Sequence, residues 1–533
     1  MTGSPYDSET IWDLVVARSE LSRDRPMLRD ATDRMLTFGD FRLSAEQIAA
    51  GLHEIGVTAG TPVTWQVPTT IEAIVLTAAL ARLRAAQNPI LHIYREREVT
   101  AAVRGTGPRI IIIDPVWRGV DYAAMTETVL AALGYPAARW DGDGGDPDGA
   151  GERPIVLDIH HLPIGDPADL PPATQIEKDE VRWIYYTSGT TSEPKGVKHS
   201  DGTLLAGGKG LAIALELSED DVGSIAFPFA HIAGPDYLVA MLLCGFQAVV
   251  LEAFVPAEAT EIFRRYGVTM AGGSTAFYQA FLTEQRKTPD VVAIPSLRAL
   301  SGGGATKPPE LFTSVLEEMG IRIIHGYGMT EIPMISMGSP SDTDEQLMAT
   351  EGAPVAGAAI RILGGDGAEV ETGTDGEVLV RGPMVCHGYT DAAITEESFH
   401  EDGWFRTGDL GHLRSDGHLV LTGRLKDVII RKGENISARE IEELAFSHPK
   451  VGDVAVIGLP DAERGERVCA VVELAGGADP LTLEELADYL AAKGLMRQKV
   501  PEQLEVLDTL PRNETLRKVL KYQLRERFAE VEV

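Results

Sequence analysis

A run of hydroxyl-bearing and small residues around one lysine is the most chemically loaded stretch of the chain: Tyr186-Thr187-Ser188-Gly189-Thr190-Thr191-Ser192-Glu193-Pro194-Lys195-Gly196. Short side chains let backbone N–H groups approach an anion closely, while Thr and Ser hydroxyls and a Lys ammonium add donors and charge. That is chemistry for closing over nucleotide phosphates. The spacing is not that of a Walker loop. Counted from Gly189, Pro194 stands where that pattern has its second glycine, and Gly196 where it has the Mg²⁺-binding Ser or Thr. A metal ligand for such a site must come from elsewhere in the chain.

Several other segments carry candidate chemistry. In His325-Gly326-Tyr327-Gly328-Met329-Thr330-Glu331, Tyr327 suits stacking on a purine and Thr330 suits donating to a phosphate. Glu331 is a hard oxygen ligand for Mg²⁺ and would fill the gap left by the first loop. The plainer alternative is a glycine-flanked turn with a partly buried Tyr. In Arg406-Thr407-Gly408-Asp409 a single carboxylate follows a tight turn, and a carboxylate can accept two hydrogen bonds from a ribose diol. Arg424, Lys426, Arg431 and Lys432 then form the densest cationic stretch, whose alternative is a solvated charged turn. Phe227 to Gly234, with Phe229, His231 and Gly234, is suited to walling a pocket for an apolar tail. A His beside Phe and Ile is read as a wall or gate in preference to a base. Near the end, Arg512, Arg517, Lys518 and Lys521 read as the basic start of an amphipathic helix.

These segments need a scaffold that places loop ends together. Short apolar strands alternate with helices: a strand at 63–65, a helix at 71–83 and a strand at 109–113. After the first loop the alternation resumes, with strands at 222–226, 247–251, 297–301 and 321–324 and helices at 237–244, 257–266 and 310–319. This predicts an α/β fold with doubly wound, mainly parallel sheets, whose ligands sit at the carboxyl ends of the strands. Gly302-Gly303-Gly304 follows one such strand. Residues 135–180, rich in Gly, Pro and Asp, read as irregular connection. From about residue 353 to 425 short β segments separated by turns predict a β-rich subdomain, and from 426 to 533 a small, mobile α+β domain. Ser437-x-x-Glu440 and Thr482-x-x-Glu485 have the spacing of capping boxes. Residues 1–425 are thus expected as one large domain and 426–533 as its lid.

Bulk properties narrow the classes. At 533 residues the chain exceeds one hydrophobic core. Eighty acidic against 48 basic residues give a formal charge of −32, which repels nucleic acid and anionic membrane. A polyanionic substrate therefore needs a local positive field. Cys244, Cys386 and Cys469 are too few and scattered for a disulfide framework or a zinc site. No signal peptide is evident at the start, and no apolar run is long enough to span a bilayer, so a cytoplasmic address is expected.

Taken together and in order, the motifs make the chain resemble the adenylate-forming superfamily of acyl-CoA synthetases, firefly luciferases and peptide-synthetase adenylation domains, over nearly its whole length. Thr187 to Thr191 with Lys195 is similar to that family's phosphate loop, and Gly326 to Glu331 to its adenine and Mg²⁺ motif. Arg406 to Asp409 is similar to its ribose motif, and Gly423 to Asp427 to its hinge, with Lys426 at the pivot. The resemblance implies ATP, Mg²⁺ and coenzyme A as partners of a two-step reaction, in which a carboxylic acid first becomes an acyl-adenylate and then a thioester. It places ATP or AMP on Thr187, Ser188, Gly189, Thr190, Thr191, Lys195, Gly302, Gly303, Gly304, His325, Gly326, Tyr327, Gly328, Met329, Thr330, Asp409 and Arg424. It assigns catalysis to Lys518, Lys195, Thr330 and Glu331, the metal to Glu331, and the coenzyme A channel to Lys432 and Gly433.

Two departures accompany the resemblance. The family's catalytic lysine lies in a Pro-Arg-Thr-x-Ser/Thr-Gly-Lys context, whereas Pro511-Arg512-Asn513-Glu514-Thr515-Leu516-Arg517-Lys518 is one residue longer and lacks the Gly. Alignment from the right, on Lys518-Val519-Leu520-Lys521, assigns Lys518; counting from the left gives Arg517. Ser192 replaces a usual Gly, and costs about 1–2 kcal/mol if the position requires a left-handed backbone. Because no carrier domain follows, and because of Asn88-Pro89-Ile90 and the apolar 227–234 segment, the closest likeness is to bacterial acyl-CoA synthetases of fatty acid metabolism. Medium-chain, alicyclic or aryl acids are the expected substrates, and the enzyme is expected as a monomer or homodimer. The alternatives are an acyl-adenylate ligase that delivers to a carrier protein, and a non-catalytic adenylate-binding relative.

Overall fold

Thirteen residues, Ile71–Leu83, show how the sequence builds the scaffold. Thr70 caps the helix by accepting from the Ala73 N–H at 3.2 Å, and polar side chains are confined to Glu72, Thr77 and Arg82. A helix apolar all round must be buried on all sides, and eleven of these residues are. The computed structural model of the protein packs this helix between two sheets. It describes the whole chain except residues 1–3, 136–152, 174–178, 188–193, 306, 432–433, 462–463, 513–518 and 530–533, and the side chains of 434–435.

One of those sheets has six strands in the order Lys195–Ser200, Val181–Thr187, Ala86–Pro89, Pro62–Gln66, Ile110–Ile113, Ile155–Asp158. All its pairings are parallel except the hairpin of the first two. The other orders Val222–Ile225, Gln247–Val250, Pro26–Asp30, Met35–Thr37, and only the last pair is antiparallel. A third runs Met270–Gly273, Ala299–Gly303, Arg322–Met329, Ile332–Met337, Ala353–Pro354, parallel through its first three strands. This is the α/β architecture that the alternation of strands and helices predicts.

Three differences from the sequence reading have physical reasons. Ile155–Asp158 is a strand, although it lies in the stretch read as irregular; at four residues on a sheet edge it has too little pattern to stand out from its Gly, Pro and Asp neighbours. The strand Arg322–Met329 continues through Gly326, Tyr327 and Gly328 instead of turning there, because antiparallel pairing to Ile332–Met337 takes over where the parallel pairing to Ala299–Gly303 ends at Gly326. Ala353–Pro354 pairs with Ile332–Met337, so the antiparallel β-rich sheet itself runs from Ala359–Leu363 through Gly376–Arg381 and Phe405–Leu413 to Leu419–Arg424.

Beyond Arg424 the chain builds separate cores. On Val451–Asp461 and Gly465–Leu474, Val454, Val456, Val468, Ala470 and Val472 join one cluster while Ala455, Ile457, Leu459, Cys469 and Val471 join another. The alternation of period two puts an apolar layer on each face of the sheet. Ala438–Phe446 and Leu483–Ala492 cover one face, and Leu524 and Phe528 of Lys521–Phe528 cover the other. Ser437 and Thr482 cap their helices as the spacing predicts, accepting from the N–H groups of Glu440 and Glu485. The two glutamates turn instead to Lys499 and Lys450. No described helix is long and apolar enough to cross a membrane.

Candidate active site

The carboxyl ends of Val181–Thr187, Met270–Gly273, Ala299–Gly303 and Arg322–Met329 line one large cleft of about 1630 Å³ that also takes in part of the surface beyond Arg424. Its floor is glycine because backbones touch there. A Cβ on Gly302 would lie 2.2 Å from the Gly273 carbonyl oxygen, and one on Gly326 would lie 2.2 Å from Met337 Sδ. Side chains are thereby excluded, and the strand surface facing the cleft is flat.

Tyr327, Asp409 and Arg424 meet on this floor from three strands. The Tyr327 hydroxyl donates to Asp409 Oδ2 at 2.5 Å, and Arg424 Nε donates to Oδ1 at 2.8 Å. Asp409 and Arg424 are direct cross-strand partners, the geometry in which opposite charges reinforce a sheet. Gly408 aims the carboxylate inward. Its φ of 70° is a conformation that side chains resist, and the ladder slips beside it. Burial would discharge Arg424, but the adjoining Asp409 carboxylate outweighs it and holds the guanidinium charged. Burial also raises the Tyr327 hydroxyl far above its ordinary range, helped by Asp409, so it stays a donor.

Glu331 follows at the end of this strand. It is buried, and the Tyr389 hydroxyl donates to its Oε1 at 2.7 Å, which fixes the carboxylate. Among the described residues no group of three or more His, Cys, Asp or Glu side chains is placed to hold a metal. Mg²⁺ is commonly held by one or two carboxylates completed by waters and substrate phosphates, and Glu331 is a donor of that kind. Next to it, the Thr330 carbonyl is held by His199 Nε2 at 2.7 Å, whose Nδ1 lies 2.9 Å from Thr203 Oγ1. Burial lowers the His199 ring to about 4, so it is neutral and acts as a bracket.

His325 also lines the cleft, but both its nitrogens are engaged. Nε2 lies 2.9 Å from the Ala305 carbonyl and Nδ1 3.2 Å from the Tyr278 hydroxyl. Burial lowers it to about 4, and the neutral ring with Nε2–H donating satisfies both contacts. It therefore supports the backbone after Gly304. Glu351 lies 3.5 Å from Nε2 and binds Arg439, on the helix Ala438–Phe446, at 3.1 Å. This contact ties the glycine floor to the elements beyond Arg424.

The phosphate side is only partly described. Thr187 and Lys195 are partners across the antiparallel hairpin, so residues 188–193 join two paired ends. A buried anchor sets the hairpin: Asp201 binds Arg182 at 2.9 Å and Trp183 Nε1 at 2.8 Å. Thr187 lines the cleft, and Lys195 Nζ lies 6.0 Å from the centre of the Tyr389 ring. Lys426 also lines the cleft; burial, and then the charges of Arg424 and Lys195, lower its ammonium. Arg424 and Lys426 are thus cations in the cleft lining, with Lys195 close enough to lower the Lys426 ammonium.

Ser188, Gly189, Thr190, Thr191 and Ser192 lie outside the described residues, as do Lys432, Gly433, Arg517 and Lys518. The ends of the segment containing Lys518 are described. Arg512 and Val519 pair as an isolated bridge, and both line the cleft.

On the acyl side, His231 lines the cleft together with Phe227, Ile232 and Met334. Burial lowers its ring to about 4, and Nδ1 accepts from the Ala233 N–H at 3.2 Å, an arrangement for a wall and not for a base. Phe229 packs into the main core, and Gly234 sits against its carbonyl, where a Cβ would come within 1.9 Å; neither lines the cleft. His199, Tyr389 and Glu351 escaped the sequence reading. Each acts on a distant partner, Thr330 at 131 residues for His199, Glu331 at 58 for Tyr389 and Arg439 at 88 for Glu351, and no local spacing marks them.

The family described as AMP-binding enzyme matches residues 16–390, and the AMP-binding enzyme C-terminal domain matches 440–517. A medium-chain fatty-acid–CoA ligase of Escherichia coli is 29% identical over 495 residues, covering 92% of this chain and 85% of its own. A salicyl-AMP ligase / salicyl-S-ArCP synthetase of Mycobacterium tuberculosis is 33% identical over 502 residues, with the same coverage of 92% and 85%. The crystal structure of ATP-bound MatB from Rhodopseudomonas palustris superposes with a TM-score of 0.85 at 25% identity, covering 98% of this chain and 99% of that one.

Proposed function

The chain belongs to the AMP-binding enzyme family, and from that premise we propose that it is an ATP-dependent acyl-CoA ligase. The observation that carries the reading is the Tyr327–Asp409–Arg424 cluster set beside Glu331 in one cleft. A planar ring, a diol acceptor and a hard oxygen donor are the groups that an adenine, a ribose and a metal-bound phosphate require.

In the first step a carboxylate oxygen of the acid attacks the α-phosphorus of ATP, and the bond to the bridging oxygen breaks, releasing pyrophosphate. Asp409 accepts from the ribose hydroxyls while Tyr327 and Arg424 hold its orientation. The Gly302-Gly303-Gly304 backbone and Tyr327 seat the adenine. Thr330, kept in place by His199, donates to the α-phosphate. Thr187 and Lys195, with Ser188, Gly189, Thr190 and Thr191, offset the charge of the leaving phosphates, and Lys518 approaches from the second domain. Mg²⁺ at Glu331 would offset the same charge. In the second step a thiolate attacks the acyl carbonyl, the acyl–phosphate bond breaks, and AMP leaves.

Residues 426–533 serve as the lid that exchanges these steps, with Lys426 as its pivot and Lys432 and Gly433 at the thiol channel. Medium-chain, alicyclic or aryl acids fit the apolar wall at Phe227, Ile232 and Met334. Delivery to a carrier protein is the second reading, favoured by the likeness to a synthetase that forms salicyl-S-ArCP.

Carboxylate-dependent exchange of labelled pyrophosphate into ATP, followed by addition of coenzyme A, tests both steps. Exchange with an acid and then an acyl-CoA product is the expected result. Exchange with no thioester would favour the carrier, and no exchange across a broad panel of acids would sink the ligase reading.

A further inference from the structure

The acyl side of the cleft holds two polar groups that the proposed steps do not use. Asp236, in the first turn of Ala233–Cys244, is 2% exposed, and neither of its carboxylate oxygens has a hydrogen-bond partner. Ser224, on Val222–Ile225, is 4% exposed, and its Oγ is also unpartnered. Both line the cleft, among Leu211, Pro333 and Met334. A buried polar group without a partner costs stability that an apolar residue in its place would not. The carboxyl nevertheless has space made for it: a Cβ at Gly207, on the facing helix Asp201–Ala214, would stand 2.5 Å from Asp236 Oδ1.

We propose that Asp236 recognises a hydroxyl group on the acyl skeleton, with Ser224 as a second polar group in the lining of the same cleft, so that the preferred substrate is a hydroxylated alicyclic or aryl acid. The inference rests on the acid-activating reading of the cleft. Burial pushes the Asp236 carboxyl well above the usual carboxylate range and so favours its protonated form, which has one O–H donor and a free acceptor. Ser224 Oγ can likewise donate and accept. A hydroxyl matches both. A hydroxyl can bond the carboxyl in either protonation form, whereas an ammonium gains fully only if Asp236 ionises against its burial, and a second carboxylate would meet no cation paired to Asp236 among the described residues. Sites built to hydrogen-bond a hydroxyl reject the analogue lacking it far more strongly than a pocket discriminates one methylene.

Matched acids decide the point. Benzoic and cyclohexanecarboxylic acid, each with its ring-hydroxylated and ring-aminated isomers, are titrated calorimetrically onto the full-length protein with Mg²⁺ and a non-cleavable ATP analogue. The same acids are assayed in parallel for pyrophosphate exchange. At least one hydroxylated isomer should bind tenfold or more tightly than its parent. Asp236→Leu should abolish that ratio, and Asp236→Asn, which keeps the shape and some hydrogen bonding, should retain part of it. Equal binding of parent and hydroxylated acids, tightest binding of an aminated acid, or an unchanged ratio in Asp236→Leu would each overturn the proposal. A hydroxyl preference in binding without any exchange would uphold it and sink the ligase reading. Exchange that favours the parent acids would do the reverse.

Discussion

At the scale of single residues, the site depends on carboxylates held by named donors. Asp409 receives Tyr327 and Arg424 at once, and charge-assisted hydrogen bonds contribute about 1.5–3 kcal/mol each. Replacing Asp409 by Ala should therefore raise the KM for ATP tenfold or more, read in steady-state exchange assays. An unchanged KM would remove the ribose role. Lys518 belongs to the same scale, although its surroundings are outside the described residues. Lys518→Ala should abolish adenylate formation while sparing thioester formation from supplied acyl-adenylate. Loss confined to the second half-reaction would shift the assignment to Arg517.

At the scale of elements, the turn Leu425–Asp427 links the antiparallel sheet to the C-terminal cores. Asp427 is held by Arg525 at 2.7 Å, and Arg439, on the helix Ala438–Phe446 that follows, by Glu351 at 3.1 Å. Rotation about Lys426 requires its backbone to change φ, and proline locks φ near −65°. Lys426→Pro should keep pyrophosphate exchange and lose coenzyme A transfer. Equal loss of both activities would count against a pivot. Among the described helices, Ile71–Leu83 has the most buried residues, with Leu76 fully buried. Leu76→Ala should cost about 2–5 kcal/mol in urea unfolding; a cost near zero would mean the layer between the two sheets is loosely packed.

At the scale of the whole molecule, buried histidines couple stability to pH. His199 and His325 are lowered by burial from 6.5 to about 4 in the folded protein. Between those values the unfolded chain binds the proton and the folded one does not, so acidification favours unfolding. Their contribution is complete above pH 6.5 and lost progressively down to pH 4. At 1.36 kcal/mol per pH unit each site is worth up to about 3 kcal/mol. The urea midpoint should fall steeply across this window, and a flat profile would show that the two rings ionise within the fold. The overall charge of −32 acts differently, repelling polyanions in general, so that binding one in the cleft depends on cations such as Arg424 and Lys426 in its lining.

Much of this protein is local and therefore legible in its sequence. Periodicity places Ile71–Leu83 residue for residue, short spacings mark Thr187, Lys195, Glu331 and Asp409, and Ser437 and Thr482 announce their helices. Each of these signals depends on neighbours within a few positions. The tertiary structure alone decided what depends on distant partners. It set Ile155–Asp158 on a sheet edge and carried a strand through Tyr327 by pairing it to Ile332–Met337. It bracketed Thr330 with His199 and fixed Glu331 with Tyr389. It also turned Phe229 into the core and left Asp236 without a partner in the cleft. A side chain's direction follows from the packing of whole elements against one another, and no short stretch of sequence contains that information.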